Sequence, residues 1–195
     1  MEPVSRFPVP DIADLPEDLR ERILAVQEKT GFVPNVFLAL AHRPAELRAF
    51  LAYHDALMEG EGGLTKAERE MIVVATSAAR SCTYCVVAHG AILRIRARDP
   101  LLSDLVATNY RAAHLPDRQR RMLDFAVKLS TTPELVEEHD LDVLRAAGFD
   151  DEQVWDISAI TSFFALSNRM ALVMALRPNE EFHLLGRLPR GGPGA

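Results

Sequence analysis

The stretch from Asp151 to Leu176 constrains the fold most. After Trp155 it is almost wholly apolar, and it holds neither proline nor glycine. A helix that is apolar on all sides belongs at the centre of a fold or in a subunit interface. The spacing therefore predicts one long central helix, with Trp155 as a packing anchor. The rest of the chain reads in the same period. Leu47, Phe50, Leu51, His54 and Leu57 recur at helical spacing behind Pro44, and Gly60, Gly62 and Gly63 end that segment. Thr65 and Glu68 have the form of a capping box, which starts a helix at about residue 66 and carries it to about Arg80. Further helices are expected over residues 16–29, 36–41, 82–97, 101–109, 117–130 and 133–146. No segment shows strand alternation, so the fold class is all-α.

The chain of 195 residues, 48% hydrophobic, suffices for a single domain over 1–195. Pro3, Pro8 and Pro10 make residues 1–15 an extended arm lying over a neighbour. The Gly-, Pro- and Arg-rich 188–195 reads as a mobile tail. A faint repeat at an offset of 51 residues aligns Leu64, Arg69, Met71, Ile72 and Ala75 with Leu115, Arg120, Met122, Leu123 and Ala126. Two pseudo-repeated halves follow from it. The second half has Val136 and Asp140 where the first has Cys85 and His89. The formal net charge is −6 with no basic stripe, which argues against nucleic-acid binding. No apolar run reaches the roughly 20 residues of a membrane span. The first residues are neither basic nor apolar, so a cytoplasmic protein is expected.

The chemistry concentrates in Glu70-x11-Cys82-Thr83-Tyr84-Cys85-x3-His89, which contains both cysteines of the chain. On a helix, Cys82, Cys85 and His89 share one face. An i, i+3 pair brings two Cα atoms to about 5 Å, within disulfide range. In a reducing compartment so close a pair reads as reactive rather than structural. Cys82 at a helix start meets free N–H groups that favour a thiolate. His89 lies one turn beyond Cys85 and can take a thiol proton. Glu70, on the preceding helix, is expected to face inward and to orient His89 if the two helices form a hairpin. Cys-x-x-Cys-x3-His also offers three zinc ligands, but a structural site needs a fourth and only the fold could bring His54 there. Neither metal nor cofactor is expected. His54 and Tyr84 are candidates for a pocket wall. Asn168-Arg169, polar inside an apolar helix, reads as a structural knot of hydrogen bonds.

This motif, behind Leu64-Thr65 and Arg69-Glu70, resembles the core of the alkylhydroperoxidase D (AhpD-like) family, within the carboxymuconolactone decarboxylase superfamily. Gly31-Phe32-Val33-Pro34-Asn35-Val36-Phe37 and Asn168-Arg169 are similar to its peroxidase-related branch. The resemblance covers most of residues 30–175. It implies an AhpD-like helical fold, with the cysteine helix in a hairpin, that assembles as a homo-oligomer (dimer, trimer or hexamer). It implies a thiol-dependent antioxidant peroxidase acting on hydrogen peroxide or alkyl hydroperoxides. In that scheme Cys85 attacks the peroxide and Cys82 resolves the sulfenic acid to a redox-active disulfide. Glu70 and His89 relay the proton, and a lipoylated or thioredoxin-like protein restores the dithiol. The best-characterised relatives have a second histidine just before the second cysteine, and Tyr84 stands there here. Two other activities stay open: a thiol–disulfide reductase or electron adaptor for another protein, and a lactone decarboxylase without dithiol chemistry.

Overall fold

The computed structural model describes residues 3–187. Among these the chain is helical, with ten α-helices, two short 3-10 turns and no strand. They are α1 (Glu17–Thr30), α2 (Asn35–Leu40), α3 (Pro44–Met58), α4 (Lys66–Ala79), α5 (Thr83–Ala97), α6 (Leu102–Asn109), α7 (Asp117–Thr131), α8 (Glu138–Ala146), α9 (Asp151–Val173) and α10 (Glu181–Leu184).

The central helix is α4, not α9. All of Glu68–Ser77 is buried, and α4 packs against α5, α6, α7 and α9. Its start follows from sequence: the Thr65 hydroxyl accepts from the Glu68 N–H at 3.1 Å, and Glu68 Oε2 accepts from the Thr65 N–H at 2.9 Å. Three successive charged residues then leave the helix about 100° apart. Glu68 pairs with Arg118 of α7 at 2.7 Å, and Arg69 with Asp156 of α9 at 3.0 Å. Glu70 turns toward α5. Each buried charge is thus partnered, and each ties α4 to a different neighbour.

α9 buries one face (Ile157, Ile160, Phe163, Phe164, Asn168) and leaves Leu166, Met170, Leu172 and Val173 exposed. Trp155 is 71% exposed and anchors nothing in this chain. Apolar composition was therefore a poor guide to which helix is enclosed, because a one-sided helix and an all-round one differ only at positions a partner would cover. α9 also stops at Val173, where Ala175 takes a left-handed φ of 48°. The helix expected over 133–146 is broken: a 3-10 turn spans Pro133–Leu135, and α8 begins afresh behind Glu137, whose N–H donates to Asp140 Oδ2 at 2.8 Å. That local cap competes successfully with helix continuation.

At the offset of 51 residues, Leu64, Met71, Ile72 and Ala75 are buried, as are Leu115, Met122, Leu123 and Ala126. The arm from residue 3 is fastened to the end of α9 in its own chain. The Arg6 N–H donates to Met174 O at 2.8 Å and the Arg177 N–H to Val4 O at 3.4 Å. The expected tail, 188–195, lies outside the described residues.

Candidate active site

The turn that joins α4 to α5 places the cysteines. The Ser81 N–H donates to Ala78 O at 3.0 Å and the Cys82 N–H to Ser77 O at 3.0 Å. This pairing is a Schellman closure, with Ser81 at φ 56° where glycine is usual. Cys82 both completes that closure and forms the N-cap of α5. One residue therefore ends one helix and starts the next, and the hairpin has no slack.

Both thiols are free and buried, Cys82 at 1% and Cys85 at 2% exposure. They are coupled. The Cys85 thiol donates to the Cys82 sulfur, and the Cys85 and Tyr84 N–H groups at the helix start also point to it. Together with the nearby His89 they bring the Cys82 thiol down to about 7. Cys85 is pushed up, first because it holds the proton shared with Cys82, then by burial; hydroxyls of Ser167 and Ser77 partly offset this. The pair thus ionises first at Cys82, while Cys85 keeps its proton.

His89 Nδ1 lies 2.8 Å from Glu70 Oε2. Glu70 is 1% exposed, and its other oxygen meets Arg96 Nη1 at 3.2 Å. Arg96 also bonds Glu59 and, at 3.5 Å, the Met58 carbonyl. Glu70 is therefore held between an imidazole and a guanidinium and has no freedom to turn away. The His89 ring packs edge-on against Phe164, centroids 4.7 Å apart.

A small cavity of about 50 Å³ opens on this arrangement, lined by Cys85, His89, Tyr84, His54, Phe164 and Ser167 among others. It has room for one or two waters. Cys85 is on its wall and Cys82 is not. Val36, Phe50, Tyr84 and Ser167 also line a larger apolar groove of about 540 Å³ between α3 and α9, with Tyr53, Phe163, Leu166 and Met170.

Of the four motif residues Cys85 and His89 line this cavity, Glu70 stands behind His89 and Cys82 behind Cys85, and both pocket candidates line it. The Tyr84 oxygen accepts from the Val36 N–H at 3.1 Å, and burial raises its phenol further from ionisation. Asn168 enters the site indirectly: Ser77 donates to its Oδ1 at 3.0 Å, while Arg169 donates to Ala165 O at 2.7 Å. Arg96 and Ser167 were missed from sequence. Arg96 stands seven residues after His89, on the same face of α5, and that spacing was its signal. Among the described residues no group of three or more His, Cys, Asp or Glu side chains is placed to hold a metal ion.

Residues 44–100 match the carboxymuconolactone decarboxylase family model. An uncharacterized peroxidase-related protein from Ralstonia eutropha JMP134, described as an alkylhydroperoxidase AhpD core, is 64% identical over 97% of this chain and 100% of its own, with a TM-score of 0.95. The chain belongs to the AhpD-like carboxymuconolactone decarboxylase family. A peroxidase-related protein from Silicibacter sp. TM1040 is 44% identical over 93% of this chain and 95% of its own, TM-score 0.89. The debrominase Bmp8, 20% identical over 93% of this chain and 95% of its own at TM-score 0.75, shares the fold. A search of the curated proteins finds no significant match. No helix among the described residues is long and apolar enough to cross a membrane.

Proposed function

We propose that this AhpD-like protein is a thiol-dependent peroxidase acting through Cys82 and Cys85, with apolar hydroperoxides as preferred substrates. The observation that carries this reading is the buried Glu70–His89 bond at the edge of the cavity whose wall bears Cys85. Cys85 is the attacking sulfur because it alone of the pair faces the cavity. Its proton passes to the Cys82 thiolate, or to His89 when both thiols are protonated. The Cys85 sulfur then attacks the terminal peroxide oxygen, the O–O bond breaks, and the alkoxide leaves as alcohol with a proton returned from the His89 side. Cys82 next attacks the Cys85 sulfenic acid, an S–S bond forms, and the hydroxyl leaves as water. Glu70 fixes the His89 tautomer and stabilises the imidazolium while it holds the proton.

The large groove lies against this cavity and is almost entirely apolar, which favours a bulky organic hydroperoxide over hydrogen peroxide. Burial of both sulfurs favours a slender dihydrolipoyl dithiol, as on a lipoylated protein, over a broad thioredoxin-like face as reductant. The exposed apolar face of α9 supports assembly into a homo-oligomer, which light scattering measures. The central test is stopped-flow oxidation of the reduced protein by cumene hydroperoxide. Cys85→Ser is expected to abolish turnover and Cys82→Ser to leave one round of oxidation. A parent protein no faster than a free thiol would end the reading.

A further inference from the structure

Two imidazoles, not one, face the cavity beside Cys85. His54 lies on α3, opposite His89 on α5, with ring centroids 6.4 Å apart. Each ring has a carboxylate at Nδ1: Glu70 at 2.8 Å for His89, and Asp55 at 3.3 Å for His54. The two carboxylates differ in depth. Glu70 is enclosed, whereas Asp55 sits near the surface, bound to Arg22 of α1 at 2.6 Å. The His54 side chain is 28% exposed and that of His89 13%. His54 thus occupies the place between the buried pair and bulk water.

We infer that His54 is the proton gate of the site, exchanging protons between solvent and His89 through water held in the cavity. The inference rests on the redox reading above. The centroid separation is too long for a direct ring-to-ring hydrogen bond and suits one bridging water, which spans about 5–6 Å between two polar atoms. Proton traffic is obligatory in the reductive half of the cycle. An electron pair passes from the external dithiol to the disulfide, the protein S–S bond breaks, and an S–S bond forms in the reductant. Two protons leave the reductant's thiols; Cys85 takes one, and the other goes to Cys82 or, where Cys82 stays ionised, to solvent. Neither sulfur is open to bulk water, so those protons need a path.

The groups facing His54 are Asp55 on its own helix, His89 on α5, Glu70 on α4 and, through Asp55, Arg22 on α1. α9 contributes only the rings of Phe163 and Phe164. Burial first, then the neighbouring His89, hold the His54 imidazole below its usual range, despite Asp55 and Glu70. A ring neutral at pH 7 can accept a proton and pass it on.

The test uses the full chain oxidised with diamide and reduced by dithiothreitol in stopped flow, so no peroxide step enters the readout. His54→Ala and His54→Phe are compared; the second keeps the aromatic packing against Phe50, Phe163 and Phe164. Both are expected to slow reduction at pH 7 by about tenfold or more. Added imidazole is expected to restore the alanine variant, which leaves a vacant path, and not the phenylalanine variant. Reduction of the phenylalanine variant at the parent rate overturns the inference, as does a folded, slowed alanine variant that imidazole leaves unchanged. A parent protein inert to peroxide would remove the peroxidase reading while leaving this measurement intact.

Discussion

Replacing Cys82 by serine separates the sulfur that bears the charge from the sulfur that attacks. In the reduced parent the charge rests on Cys82, whose thiol ionises at about 7, while Cys85 holds the shared proton. If Cys85 attacks, the reactive species is the minor form with the proton moved to Cys82. Its share grows with pH up to about 7 and is then fixed, because further alkali removes no proton until Cys85 itself ionises. The first oxidation step is therefore expected to rise tenfold per pH unit below 7 and to flatten above it. Serine does not ionise in this range, so in Cys82→Ser nothing imposes that plateau. Without Cys82 to share its proton with, Cys85 loses the first cause that pushes it up and keeps only the burial. The variant should match the parent within a few-fold at pH 6, then keep climbing. At pH 8, one unit above the parent's plateau, it should be faster than the parent by a factor of roughly five to ten. The assay is single-turnover consumption of cumene hydroperoxide between pH 5.5 and 9. Dimedone trapping and mass spectrometry would place the sulfenic acid on Cys85. A variant inert at every pH, beside a Cys85→Ser protein that still reacts, refutes the reasoning and makes Cys82 the attacking thiol.

Glu70→Gln keeps an acceptor for His89 Nδ1 but removes the charge that stabilises the imidazolium and balances Arg96. A loss of about 2–3 kcal/mol in that partnership corresponds to a fall of roughly 30- to 160-fold in peroxide turnover, read at constant cysteine content by thiol titration. Tyr84→Phe leaves the Val36 N–H without its acceptor. It should cost about 1–2 kcal/mol in urea denaturation while changing the first oxidation rate less than threefold, because the phenol is not a base in this cycle. Ala49→Trp, on the exposed groove wall formed by α3, should slow reaction with cumene hydroperoxide severalfold and leave hydrogen peroxide unaffected. Equal slowing of both would separate the groove from substrate choice.

The hairpin that carries the site was legible because its determinants are local. Thr65 and Glu68 cap α4 through bonds within one turn, and the spacing of Cys82, Cys85 and His89 fixes a shared face wherever the helix goes. The inward course of Glu70 was legible from the apolar company of Val73 and Val74. What escaped the sequence depends on which face meets which neighbour. Arg96 looks like any surface arginine in a basic stretch until Glu59 and Glu70 are seen on either side of it. Trp155 and the outer residues of α9 look like core by composition, yet the chain places α4 at the centre. The break at Val136 and Glu137 escaped because Pro133 suits a helix start, and the stronger cap, Glu137 with Asp140, lies four residues later.

At the offset of 51 residues only one half carries the motif. Arg121 stands where Glu70 does, Val136 where Cys85 does, and Asp140 where His89 does. In the second half those positions serve the backbone instead: Asp140 accepts from the Glu137 N–H and pairs with Lys128 at 2.7 Å, so its charge is spent on starting α8 and fastening it to α7. A histidine in that place would have no buried carboxylate to orient it. In the first half α5 runs unbroken from Cys82, and the carboxylate comes from a helix locked on three sides by Glu68, Arg69 and Glu70. The imidazole is held by the most constrained element of the fold, while the proton path and the groove lie toward α3 and the outer face of α9, where exposure is greatest. Rigidity at the sulfur and access at the rim are thus assigned to different helices, which lets one small chain orient a base and still admit a large substrate.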